Sequence, residues 1–103
     1  MISEAQIAEV VQKVVKGYAP EQIILFGSYA AGSPSEHSDL DLCILKTDSR
    51  LATVKHREVE MLLTNRQFPI DLIVCDPMDV KNAMPYNAVL FAIKQSGRVI
   101  YER

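Results

Sequence analysis

Cysteine is nearly missing from this chain, and so is any surplus of charge; each scarcity removes a class of function. The two cysteines, Cys43 and Cys75, sit inside apolar runs and have no CxxC spacing. A CxxC redox or zinc site is therefore excluded, which leaves two small buried hydrophobes in a reducing compartment. The formal net charge is -2, so there is no basic field to hold long nucleic acid. A nucleotide stays within reach, because a metal ion neutralises phosphates locally. No apolar run is long enough to span a bilayer, and no basic stretch followed by an apolar one marks a signal peptide at the N-terminus. Repeats and low-complexity segments are also absent. What remains is ordinary globular material, 49% apolar and 23% charged over 103 residues. One cytoplasmic domain over residues 1–103, with no membrane partner, is the expectation.

Ser3-Glu4-Ala5-Gln6 reads as a capping box. Ile7, Val10, Val11, Val14 and Val15 then recur at helical spacing, and Gly17 and Pro20 predict the helix end. Ile23 to Phe26 reads as a buried strand, followed at Gly27-Ser28 by the start of a short helix, with loop chemistry at Gly32-Ser33-Pro34-Ser35. Asp39 to Leu45 reads as a second strand. Asp48 or Ser49 is placed to cap a helix running to about Asn65, and Ile70 to Cys75 reads as a third strand. Pro77 and Pro85 bracket a short irregular or helical piece. Tyr86, Val89, Leu90 and Ile93 suit a last helix ended by Gly97, and Arg98 to Tyr101 a closing strand. This order predicts an α/β fold, a small mixed β-sheet with helices packed on it.

The chemistry concentrates between Ile24 and Leu45. Alternation along a strand points Asp39, Asp41 and Cys43 one way and Leu40, Leu42 and Ile44 the other, into a core. Two carboxylates side by side repel, and a buried pair would hold a proton or a cation. Hard oxygen donors of this kind suit Mg²⁺, which uses one or two carboxylates together with phosphate oxygens and water. In Ile70 to Cys75, Asp71 interrupts an apolar strand, a costly placement unless the charge is paired. The helix between the second and third strands favours a parallel crossover. If those strands are neighbours, Asp71 joins Asp39 and Asp41, and three carboxylates suffice for a two-metal site. Gly27 allows backbone to approach a ligand closely, and Ser28 adds a hydroxyl donor at a strand-to-helix turn where amides favour phosphate. Each feature alone is common; a Gly-Ser turn or a lone DxD is usually structural, and the combination carries the weight.

Gly27-Ser28, ten intervening residues and Asp39-Leu40-Asp41, with Ile70-Asp71-Leu72 further on, resemble the GS-x10-DxD signature of the DNA polymerase beta-like nucleotidyltransferases. The short length is similar to the minimal nucleotidyltransferases, among them the antitoxin members of HEPN/MNT toxin–antitoxin pairs. The resemblance runs through nearly the whole chain, to the closing SGRVIYER. It implies the polymerase beta-like fold, with Gly27 and Ser28 on the triphosphate, Asp39, Asp41 and Asp71 as metal ligands and catalytic carboxylates, and Asp71 placed to help deprotonate the acceptor. It also implies two Mg²⁺ ions (Mn²⁺ substituting), ATP as donor, a hydroxyl acceptor and a small helical HEPN-type partner. In one position the chain departs from the pattern. Many relatives read G-S-x-A-R-G, whereas Ala31 occupies the arginine position here, which removes a basic contact; Lys46, Lys55 and Arg57 are the candidates to replace it.

Two rival readings stay open at this level: a non-catalytic module that neutralises a partner by binding, and transfer to a small molecule. His37 reads as an exposed loop residue and His56 as a residue of a solvated helix face. Met78, Met84, Tyr86, Val89, Phe91 and Tyr101 read either as core or as a partner surface.

Overall fold

The computed structural model describes residues 1–103. Its elements are α1 (Glu4–Tyr18), β1 (Gln22–Phe26), α2 (Gly27–Ala31), β2 (Leu40–Leu45), α3 (Ala52–Leu62), β3 (Ile70–Cys75), α4 (Pro77–Lys81), α5 (Ala88–Ser96) and β4 (Arg98–Glu102). The four strands form one mixed sheet in the order β3-β2-β1-β4. β1 runs antiparallel to both of its neighbours, and β2 and β3 are parallel, joined through α3 as the crossover rule expects.

Period-two alternation divides the sheet into two faces. Leu40, Leu42 and Ile44 of β2 and Ile70, Leu72 and Val74 of β3 pack with Val10, Val11 and Val14 of α1 and Val59 of α3. On the other face Ile24, Cys43 and Leu45 meet Val80 of α4 and Ile93 of α5. Helices thus cover both sides, and the second face carries the acidic end of β2. Cys43 is buried and Cys75 half-buried, both as free thiols.

The capping box forms as expected: the Ser3 hydroxyl accepts from the Gln6 amide (3.1 Å) and the Gln6 side chain accepts from the Ser3 amide (2.8 Å). Other boundaries differ from the sequence expectation: α3 ends at Leu62 rather than near Asn65, and Tyr86 lies ahead of α5. Gly17 does not end α1. The helix continues through Tyr18, and Ala19 takes the left-handed turn at φ 53°, its amide donating to Val15 O. Gly17 serves packing instead, since a Cβ there would overlap the Leu62 side chain of α3. Nor do Asp48 or Ser49 cap α3, which starts after Leu51 without a side-chain cap. Asp48 is engaged elsewhere: it accepts from the Tyr18 hydroxyl (3.0 Å) and from Arg50 Nη2 (2.7 Å), while Arg50 Nη1 reaches Glu58 (2.6 Å). Arg50 holds the Asp48 carboxyl well below the usual carboxylate range, and burial followed by the Asp48 contact pushes the Tyr18 phenol up. This network ties α1, the β2–α3 loop and α3 together beyond the C-terminal end of β2.

Candidate active site

Register brings the predicted carboxylates together. Asp41 on β2 is the direct parallel partner of Asp71 on β3, which sets their backbones about 4.8 Å apart with both side chains on one face. Asp39 lies two residues before Asp41, just ahead of the strand. Asp39 and Asp71 are exposed and Asp41 is half-buried. Burial, then the charge of Asp71, then that of Asp39, push the Asp41 carboxyl above its ordinary value. The three groups therefore share one electrostatic space, in which the central carboxylate carries an unbalanced charge.

Gly27 fixes the other wall. It follows β1 at φ 73°, and a Cβ built on it would overlap the Asp41 carboxylate. Any other residue would both strain the backbone and collide with the carboxylate. Ser28 is half-buried in the first turn of α2, with its carbonyl accepting from the Gly32 and Ser33 amides. The GS turn and the acidic strands are therefore in direct apposition. Sequence reasoning missed one member of this constellation: Phe26 is the antiparallel partner of Asp41, so Asp71, Asp41 and Phe26 form a transverse row over three strands. The available signal was its place as the last strand residue before Gly27.

No three Asp, Glu, His or Cys side chains converge as a preformed metal cage. The donor set still fits Mg²⁺, which is rarely held by an all-protein cage and completes its shell with water and phosphate oxygens. A cation beside Asp41 would offset the charges of Asp71 and Asp39, which after burial raise its carboxyl.

Two of the three basic residues suggested as substitutes for the missing arginine, Lys46 and Lys55, are engaged elsewhere. Lys46 Nζ donates to Tyr18 O (2.6 Å) and stacks over the Tyr18 ring, 4.5 Å from its centroid. Lys55 is buried and donates to Asp48 O (3.0 Å). Both belong to the network at the opposite end of β2 from the aspartates. Arg57 borders an open groove along β3 with Thr53, His56 and Glu60. His37 is exposed in its loop, as expected. His56 is largely exposed, but its Nε2 lies 3.2 Å from Leu72 O on the outer edge of β3.

The sequence of residues 7–103 matches the family model described as polymerase beta, nucleotidyltransferase. The chain belongs to the polymerase beta nucleotidyltransferase family. Comparison with curated protein sequences gives no match. Among solved structures, this nucleotidyltransferase domain is similar to a Sulfolobus solfataricus protein described as a candidate nucleotidyltransferase, with TM-score 0.69 and 18% identity over 94% of this chain and 78% of that one. It is also similar to a toxin–antitoxin chain crystallised with AMP-PNP (TM-score 0.66, 18% identity, 93% and 73% covered). A third match is a chain of the MntA-HepT toxin–antitoxin (TM-score 0.63, 14% identity, 98% and 74% covered). At these identities the likeness is one of fold. The mixed four-stranded sheet is thus that of the nucleotidyltransferases, and no helix in it is long and apolar enough to cross a membrane.

Proposed function

We propose that this domain transfers a nucleoside monophosphate, AMP from ATP, to a hydroxyl group on a small helical HEPN-type partner, and so acts as an antitoxin. The observation that carries the reading is the register pair Asp41–Asp71, with Asp39 beside it and Gly27 closed against the Asp41 carboxylate. Asp39, Asp41 and Asp71 are the groups that would hold two Mg²⁺ ions, for which Mn²⁺ substitutes. Bound there, the ions supply charge stabilisation to the attacking and leaving oxygens of an in-line displacement. Gly27 and Ser28 hold the triphosphate, the glycine by letting the Asp41 carboxylate close against the turn and the serine by its hydroxyl. Asp71, exposed on the outermost strand of that side, accepts the proton of the acceptor hydroxyl. The acceptor oxygen then bonds to the α-phosphorus, the bond to the bridging oxygen breaks, and pyrophosphate leaves.

Two further observations support a protein acceptor. The acidic row lies open at its β3 side, where Asp71 is exposed on an edge strand and within reach of a large acceptor. Met78, Met84, Tyr86 and Val89, around α4 and the start of α5, are each at least half exposed, and Met and aromatic residues are enriched at interfaces. Phe91 and Tyr101, grouped with them on sequence grounds, are half-buried, and Tyr101 packs against the larger core. The solved neighbours that are toxin–antitoxin chains support a partner of that kind.

Co-expression with the product of the adjacent reading frame, followed by mass measurement of both chains, tests this. Adducts of one or more AMP units on the partner are expected with the wild type and none with Asp39→Asn. A stable complex without adducts would favour neutralisation by binding alone, the reading to which Ala31 lends weight. Transfer to a small molecule with no complex would defeat the partner assignment.

A further inference from the structure

The domain carries a second recess beside the acidic row, on the side away from β3. It is lined by Phe26, Gly27, Ala88, Val89, Ala92 and Ser96 and has a volume of about 370 Å³, within the range of small-ligand sites. We propose that this slot, bounded by Phe26 and Gly27 on the sheet and by the small side chains of α5, receives the nucleobase of the donor triphosphate and holds it by apolar contact. The inference rests on the nucleotide reading given above and adds to it where the base goes and how selectively it is held.

Continuity with the acidic row is the first argument. Phe26 is the cross-strand partner of Asp41 and shares its face of the sheet. Gly27 is the residue whose missing Cβ makes room for the Asp41 carboxylate. Both residues also line the slot, so phosphates at Gly27 and the carboxylates leave the rest of the nucleotide directed along Phe26 toward α5. Chemistry is the second argument. The slot has no cationic side chain and would not attract phosphate. Its one hydroxyl, on Ser96, already donates to Ala92 O at 3.0 Å. An aromatic ring and aliphatic side chains are the surfaces on which any base stacks, irrespective of its hydrogen-bonding edge.

A polar recess that reaches Ser38, next to Asp39, is one alternative. Its volume is about 410 Å³ and it is lined by polar groups including Gln6, His37 and Gln67. Its apolar wall residues Ile2, Tyr29 and Phe68 pack against the core on the Leu40–Leu42–Ile44 face, the opposite side of the sheet from the Asp41 carboxylate. The Tyr29 hydroxyl and the Gln6 carbonyl oxygen are already engaged by the Ile2 and Ser3 amides.

Because no free polar side chain reads the base, donor selectivity is shallow. ATP and GTP should bind within about tenfold of each other, the scale on which apolar pockets discriminate, in contrast to the far larger ratios of sites that hydrogen-bond a substrate edge. The direct test compares Mg²⁺-ATP with Mg²⁺-tripolyphosphate, which lacks sugar and base, by calorimetry on the full chain. The variants are Ala88→Leu/Ala92→Leu, which fills the slot from exposed positions of α5, and Gln67→Ala as a control in the polar recess. The double variant should weaken ATP about tenfold, the order of one lost base-stacking contact, and leave tripolyphosphate within twofold. Gln67→Ala should change neither. Unchanged ATP affinity in the double variant, or a loss in Gln67→Ala instead, would overturn the slot assignment while tripolyphosphate binding upheld the phosphate site. If neither compound bound the wild type, the nucleotide reading would fall and the slot assignment with it.

Discussion

Replacing Asp41 with asparagine should abolish transfer and, in metal-free solution, make the fold more stable. The two effects have one cause. Asp41 stands between Asp71 and Asp39, half-buried, and its carboxyl is pushed above the ordinary range by burial first and by those charges second. The folded protein therefore binds the Asp41 proton more tightly than the unfolded chain does. Stability from this group is fully present below the unfolded value, about 3.9, and is lost as pH rises through the higher folded value. Asparagine removes that loss, so metal-free stability at neutral pH should rise and its decline above acid pH should flatten. Transfer should fall by about 10²–10³-fold or more, the scale of deleting one preorganised electrostatic contact. Denaturation midpoints across pH in chelator, together with single-turnover rates with labelled ATP, check both halves. A variant that is less stable at neutral pH, or as active per folded molecule, would mean that the carboxylate has an ordinary structural role.

Gly27→Ala should lose transfer almost as completely, for a reason that a second glycine isolates. Gly27 and Gly32 both lie in the left-handed region, at φ 73° and 76°. A side chain at either position costs about 1–2 kcal/mol in backbone strain. Only at Gly27 would the added Cβ meet the Asp41 carboxylate; at Gly32 nothing lies within 4 Å. Both alanine variants should therefore be destabilised to a similar extent, and Gly27→Ala alone should lose metal-dependent nucleotide binding, because Asp41 must turn away from its place in the row. Equal retention of binding by the two variants would show that the apposition of Gly27 and Asp41 does not matter to the site.

The residues of the acidic site were legible in the sequence, because their information is local. Alternation in Asp39 to Leu45 and in Ile70 to Cys75 assigns faces without knowledge of the fold, and the intervening helix favours a parallel pair; that the two strands are neighbours, and in the register Asp41↔Asp71, is what the structure adds. The capping box at Ser3 is also local. What could not be read depends on contacts distant in sequence. Gly17 resembles a helix terminator until Leu62 of α3 is found against it. Asp48 resembles a cap until Tyr18 and Arg50 engage it. The antiparallel pairing of β1 with β2, across the short helix α2, decides that Phe26 lies beside Asp41. The arrival of α5 against that strand end creates the apolar slot. Lys46 and Lys55 look free to approach phosphate in the sequence, yet the fold places them at the far end of β2, where one caps Tyr18 O and the other Asp48 O.

Calorimetric titration with ATP, with and without Mg²⁺, on the wild type and on Asp39→Asn/Asp41→Asn, tests the central claim most directly. Paired carboxylates bind the metal and the metal bridges to phosphate, so binding should be strong only for the wild type with Mg²⁺. Equal affinity in all four titrations would contradict a metal-dependent nucleotide site at these aspartates.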